Sequence, residues 1–304
     1  MVGDNVARMI TLGETVLVAT ACEECSATAL ALSLGMSRSS ADAALRHGLV
    51  RRADGSSLAG ASRVMAGEKV EVRLEPSAPA RPTAAEPARV VWEDPLALVA
   101  DKPADLLVHG DGTGAETLSD RVQAHLAAEG SRAVAQAVQR LDVETTGLVL
   151  FSKTEQFQPA FDALVAGGAM RKRYLAEVSG CFPEGDTVIE RPLGRDRHDA
   201  RRMRVSPTGK ASLTRVMQLA TCDGRSLLLV ELGTGRRHQI RVHLASLGFP
   251  VVGDALYGGE RSDEGLMLHA WEERFTHPVT GEKLCLRTPW PERFHGWDVP
   301  LPGN

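Results

Sequence analysis

Apolar and polar residues alternate along this chain in short blocks, and the blocks change character near residue 75. Ser26 to Leu34 carries helical spacing and is closed by Gly35. Ser37 is a suitable N-cap for a second helix running through Arg46 and ended by Gly48. Leu49-Val50, a polar Asp54-Gly55 turn and the alternating Lys69 to Leu74 segment then predict short strands. Further on, Ala97 to Ala100, Gly147 to Phe151, Tyr174 to Val178 and Leu227 to Leu232 read as strands. Leu118 to Ala128, Glu155 to Val165 and Arg237 to Leu247 read as helices. In the last of these Ile240, Leu244 and Leu247 share one face, while Arg237 and Arg241 sit four apart on another.

Between the two parts, Pro76 to Ala88 holds four prolines and five alanines in thirteen residues. Proline blocks both a continuous helix and a sheet, so this segment reads as a semi-extended tether. The expected division is residues 1–75, a linker at 76–88, and a larger unit at 89–304. In that larger unit strands and helices do not alternate regularly, and no glycine-rich loop follows a strand. The pattern predicts an α+β domain with a mixed, largely antiparallel sheet rather than a doubly wound nucleotide fold.

Composition narrows the class. At 43% hydrophobic and 24% charged residues, the chain has a globular make-up and is neither fibrous nor disordered. No run approaches the roughly 18 apolar residues of a membrane span. The opening Met1 to Cys25 stretch is broken by Gly13 and Glu14, so it reads as neither signal peptide nor anchor. A cytoplasmic location without a membrane partner is the expectation. Five cysteines are too few for a disulfide framework. The Cys22/Cys25 pair lacks the second pair of ligands that structural zinc needs, so no metal is expected. The net charge of −4 conceals an asymmetry: residues 171–241 carry 15 basic against 8 acidic residues. Six arginines fall between Arg191 and Arg204. A basic stretch in an acidic chain is a footprint for a polyanion.

Four segments of the larger unit carry the chemistry. They are Gln139-Arg-Leu-Asp-Val-Glu-Thr-Thr-Gly147, Lys172-Arg-Tyr-Leu-Ala176, Gly235-Arg-Arg-His-Gln-Ile-Arg-Val-His-Leu244 and Val252-Gly-Asp-Ala-Leu-Tyr-Gly258. In that order and spacing they closely resemble the RluA family of RNA pseudouridine synthases. Asp101-Lys-Pro103, Val108-His109, Gly209-Lys-Ala-Ser212, Leu268-His-Ala270 and His277-Pro-Val-Thr-Gly-Glu282 extend the resemblance from about Val90 to Pro289. The first unit resembles, more loosely, an S4-type RNA-binding domain at Ser37-Arg38, His47 to Val50, Arg63-Val64 and Ala66 to Val72. The basic first helix usual in S4 domains is absent, since Ser26-Ala-Thr-Ala-Leu30 stands there.

The resemblance implies an isomerase that breaks the N1–C1′ bond of uridine in RNA and joins C5 to C1′. It assigns Asp142 as nucleophile, Arg241 as the arginine paired with it, and Tyr174 as the active-site tyrosine. An aspartate suits this work, because its reference pKa of about 3.9 requires no activating base. Arg140 matches an arginine that helps displace the target base, and Arg236, His238, Gln239 and Leu268 complete the expected substrate contacts. No metal or organic cofactor is expected, since uracil is both leaving group and acceptor. Large-subunit rRNA is the expected target, with tRNA second, and family precedent implies a monomer.

Two positions depart from the family pattern. Gln139 stands where histidine is common, so a titrating group is lost there, and Thr146 stands where serine is common. Two rival readings come from other classes. One is a non-catalytic RNA-binding or ribosome-assembly protein on the same fold, which would have no need of Asp142, Tyr174 and Arg241. The other is an Asp-based glycosidase, with Glu144 as the second carboxylate. His238 and His243, five apart, do not share the helical face a metal pair needs. Tyr257 reads as a residue lining the site.

Overall fold

A computed structural model describes residues 6–13, 15–74, 85–297 and 299. The first unit begins with two strands, β1 (Ala7–Leu12) and β2 (Val16–Ala21), before the short β3 (Cys25–Ser26). Helices α1 (Ala27–Ser33) and α2 (Arg38–Arg46) follow, capped by the Ser26 and Ser37 hydroxyls as their sequence implies. Strands β4 (Val50–Arg52), β5 (Arg63–Val64) and β6 (Lys69–Arg73) complete it. Four of these strands form one sheet in the order β1-β2-β6-β4. The two opening strands were not legible in the hydrophobic pattern. In β2 the inward positions are Leu17, Ala19 and Ala21, and two alanines give alternation little contrast.

The tether expectation at 76–84 lies outside the described residues, while the Ala88 amide donates to the Arg121 carbonyl. Strands β7 (Arg89–Glu93) and β8 (Ala97–Lys102) lead into helix α3 (Leu118–Ala128), which carries a capping box between Thr117 and Asp120. Then come β9 (Gln136–Ala137), β10 (Thr146–Ser152), α4 (Gln158–Ala166) and β11 (Arg171–Ser179). Strands β12 (Asp186–Glu190), β13 (Leu193–Arg195) and β14 (Met203–Val205) precede the long β15 (Leu213–Cys222) and β16 (Arg225–Leu232). Helix α5 (Gln239–Ser246) and strands β17 (Leu268–Thr276) and β18 (Lys283–Arg287) follow, before a short 3-10 turn at Glu292–Phe294.

Ten strands form the large sheet, whose main path is β12-β15-β16-β11-β17-β10-β8-β7. Only β10 and β17 run parallel in it; the other pairs are antiparallel, as the irregular strand–helix pattern predicts. Gly147 makes that one parallel contact possible. Its φ is +107°, and a Cβ there would run into the Ala270 backbone. The loop preceding Gly147 carries Asp142, so this close approach fixes where that loop leaves the sheet.

The first unit does not stand apart from the second. Leu30 and Leu34 share one apolar cluster with Phe157 and Phe161 beside and on α4, and with Phe275 of β17. Gln156 donates to the Arg73 carbonyl at 3.1 Å across the same contact. Among the described residues, no helix is long and apolar enough to cross a membrane.

Candidate active site

Asp142, Tyr174, Arg241, Arg140, Arg236, His238, Gln239 and Leu268 all line one cleft of about 1310 Å³. They come from segments far apart in sequence, and the sheet gathers them. Tyr174 and Leu268 lie on neighbouring strands β11 and β17, both buried. Asp142 sits on the loop between β9 and β10 with a quarter of its side chain exposed. Arg241 projects from the first turn of α5 and is 3% exposed.

Helix α5 begins at Gln239, two residues later than the apolar pattern predicts. His238 is the reason. It takes a left-handed backbone, φ 53°, which a residue with a Cβ seldom adopts, and breaks the helix before Arg237. Arg237 and Arg241 therefore do not share a helical face, correcting that expectation. Arg237 instead donates to the Arg201 carbonyl on the β13–β14 hairpin, and Arg241 points into the cleft floor.

The floor is a network of charge centred on Arg241. Its guanidinium makes a bidentate pair with buried Asp254, at 2.7 and 2.8 Å. It also reaches Asp142 at 3.5 Å and Glu144 at 3.1 Å. Burial alone would depress this guanidinium, but Asp254, Asp142 and Glu144 together hold its pKa above the ordinary arginine value. Asp142 thus faces a cation whose position is set by Asp254. Asp254 was in a segment the sequence singles out, yet its pairing is tertiary and left no local signal.

His238 lies beside this network, with Nε2 3.9 Å from Asp142 and Nδ1 2.8 Å from the Tyr257 hydroxyl. Burial lowers its pKa against the pull of Asp142, so the imidazole is neutral at pH 7. The Tyr257 hydroxyl also accepts from the Met203 amide on β14, and its ring lies 5.4 Å from the Arg241 guanidinium carbon. Gln239 spends its amide inside the protein. Its Oε1 accepts from the Arg236 amide and the Thr234 hydroxyl, and Nε2 donates to Leu213 and Thr214. In this arrangement Gln239 shapes the loop that presents Arg236 and Arg237. His243 is likewise structural, bonded to Thr214 and the Arg191 carbonyl.

Lys102 is fully buried at the end of β8, a position whose role its short motif does not disclose. Its amine donates to the carbonyls of Pro103, Leu106 and Val143 at 2.7 to 2.9 Å. The last of these bonds ties down the residue next to Asp142. Burial pushes the Lys102 pKa down to about 8, resisted by Asp105 and Asp142. Lys102→Met is expected to leave the buried Leu106 carbonyl and the half-buried contacts to Pro103 and Val143 without their donor, and cost about 2 kcal/mol in urea denaturation. A matching fall in turnover would follow from the loosened Asp142 loop; an unchanged denaturation midpoint would show the amine is dispensable.

Burial, with the nearby charges of Glu273 and Asp142, pushes the Tyr174 phenol well above its usual range. It therefore stays protonated in the resting site. Exposed Arg140, Arg201, Arg236 and Arg237 rim the cleft. All five cysteines are free thiols, and among the described residues no three His, Cys, Asp or Glu side chains cluster to hold a metal. Two partly exposed carboxylates, Asp142 and Glu144, against one buried arginine and under a rim of arginines define a site for chemistry on a polyanion.

Comparison with known proteins makes that class specific. The family described as RNA pseudouridylate synthase matches residues 97–246. The chain is 35% identical over 206 residues to the uncharacterized RNA pseudouridine synthase YhcT of Bacillus subtilis, covering 66% of this chain and 68% of that one. It is 34% identical over 248 residues to the ribosomal large subunit pseudouridine synthase D of Vibrio cholerae, covering 76% of each. Among solved structures, human RNA pseudouridylate synthase domain containing 1 matches with a TM-score of 0.57 at 27% identity, over 69% of this chain and 86% of that one. The chain belongs to the RNA pseudouridine synthases and is an isomerase acting on RNA.

Proposed function

We propose that this enzyme converts one or a few uridines of large-subunit ribosomal RNA to pseudouridine, with Asp142 as the nucleophile. The observation that carries the reading is the Asp142 carboxylate, open to the cleft and 3.5 Å from an Arg241 that Asp254 clamps in place. Asp142 attacks the target nucleoside as the N1–C1′ bond breaks, and the freed uracil turns to present C5. The C5–C1′ bond forms as the bond to Asp142 breaks and returns its carboxylate, C5 loses its proton and N1 gains one, so atoms and electrons balance without a cofactor. Tyr174 packs against the base and, as a neutral phenol, orients it during that turn. Leu268 forms the apolar wall beside it.

Reaching a uridine in folded RNA requires flipping it from its stack, at a cost of a few kcal/mol. Arg140 fills the vacated space, while Arg236 and the exposed arginines of the β13–β14 hairpin hold phosphates. His238, whose Nε2 lies 3.9 Å from Asp142, is hydrogen-bonded to Tyr257, which in turn accepts from Met203 of that hairpin. The ribosomal target is supported by the similarity to the ribosomal large subunit pseudouridine synthase D of Vibrio cholerae. Residues 1–75 serve as an S4-like RNA-binding module and 89–304 as the catalytic domain, joined by 76–88. The protein works as a monomer in the cytoplasm.

The test is pseudouridine mapping of total rRNA and tRNA from cells with and without the gene. Loss at one or a few large-subunit uridines, restored by the wild-type protein, is the expected result. Loss confined to tRNA would overturn the ribosomal assignment.

A further inference from the structure

Glu273 is a buried carboxylate that the chemistry above does not use. It is 1% exposed and lies just behind the cleft wall, opposite Lys172 in the β11–β17 ladder. Its Oε1 accepts a hydrogen bond from the Gln139 amide, while Oε2 has no partner among the described residues. The charged or titratable groups facing it are Lys172 and Tyr174 of β11. The loop contributes neutral Gln139, and β18 sets apolar Leu286 opposite it in the ladder. Burying a carboxylate with so few partners is costly, so its place here calls for a reason.

The loop gives one. Asp142 is strung between two buried anchors: the Lys102 amine holds the Val143 carbonyl on one side, and Glu273 holds Gln139 on the other. We propose that Glu273 is a positioning residue, which in its carboxylate form holds Gln139 and through it the Arg140–Asp142 segment at the cleft. This rests on Asp142 being the nucleophile. Burial, opposed by Lys172 and the Gln139 amide, raises the Glu273 pKa to about 7. Above that pH the carboxylate accepts from the Gln139 nitrogen. Below it the proton sits on Oε2, and the bond from the Gln139 nitrogen to Oε1 loses the charge assistance that strengthens it. The titrating group absent at position 139 is therefore present one hydrogen bond away, and it tunes the loop near neutral pH.

The test compares kcat and KM between pH 5.5 and 9 for release of tritium from C5, on a transcript carrying the mapped uridine. Wild-type kcat is expected to fall as pH drops through about 7. In Glu273→Gln that inflection should vanish, with plateau kcat down roughly threefold to tenfold and KM within about twofold. Its melting temperature at pH 8 should be no lower than wild type, because a raised acid pKa means the ionised form costs the folded state stability above that pKa. Gln139→Leu, which cuts the link but keeps the carboxyl, should lose the same inflection. A wild-type profile without the inflection, or either variant keeping it with full kcat, overturns the proposal. Asp142→Asn run alongside separates the two readings. If that variant turns over, the nucleophile assignment fails; if it is dead while Glu273→Gln behaves as wild type, only the role of Glu273 fails.

Discussion

Purified Asp142→Asn should bind RNA and melt like the wild type, yet release C5 tritium at least roughly 1,000-fold more slowly. The substitution keeps the shape of the side chain and removes its charge. Three features of the site make so clean a separation reasonable. The side chain is partly exposed, so no core packing is lost. Its loop is held by other groups, Lys102 on Val143 and Glu273 on Gln139, rather than by its own carboxylate. Arg241 keeps its bidentate partner Asp254 and is not left as an unpaired buried cation. The loss therefore falls on the bond-making step. RNA affinity, carried by the exposed arginines of the rim and hairpin, should change by less than about threefold in a filter-binding or anisotropy titration. Retained turnover would remove Asp142 from the mechanism and favour a binding protein on a synthase fold.

Much of this site is legible in the sequence, and the residues show why. Asp142, Tyr174 and Arg241 each sit in a segment whose order and spacing are specific, and the sheet brings all three to one cleft. Helix α2 announced itself by its capping residue Ser37 and α1 and α3 by their apolar spacing, which are local signals. The partners that hold the site were not legible, because each acts across the fold. Asp254 meets Arg241 from a loop thirteen residues away, and Lys102 reaches Val143 across forty-one. Glu273 lies in Glu272-Glu273-Arg274, a run that reads as a solvated strand end. An irregularity between Arg173 and Tyr174 shifts the register there, and Glu273 is turned inward against Gln139. The early end of α5 was hidden for a different reason: nothing in His238 itself marks a left-handed residue.

The largest effect on stability is expected at Asp254, and the sign of a second change tests the explanation. Asp254 is fully buried, pairs with both edges of Arg241, and accepts from the amides of Leu256 and Tyr257. Asp254→Asn keeps the volume but leaves the buried guanidinium with Asp142 and Glu144 alone. Breaking a buried pair by removing one partner typically costs about 3–5 kcal/mol, read here as a lowered urea midpoint. Turnover should fall with it, because Arg241 would be drawn toward Asp142 and the carboxylate would lose its open face to the substrate. Arg241→Met in the same background removes the stranded charge, and the double variant is expected to regain about 1–3 kcal/mol over Asp254→Asn while remaining inactive. Recovery of stability without recovery of activity would separate the two tasks of Arg241, as a buried charge that must be balanced and as the cation that aims Asp142. Strictly additive losses in the double variant would mean Asp254 acts through its two backbone amides instead, with the arginine pair a bystander.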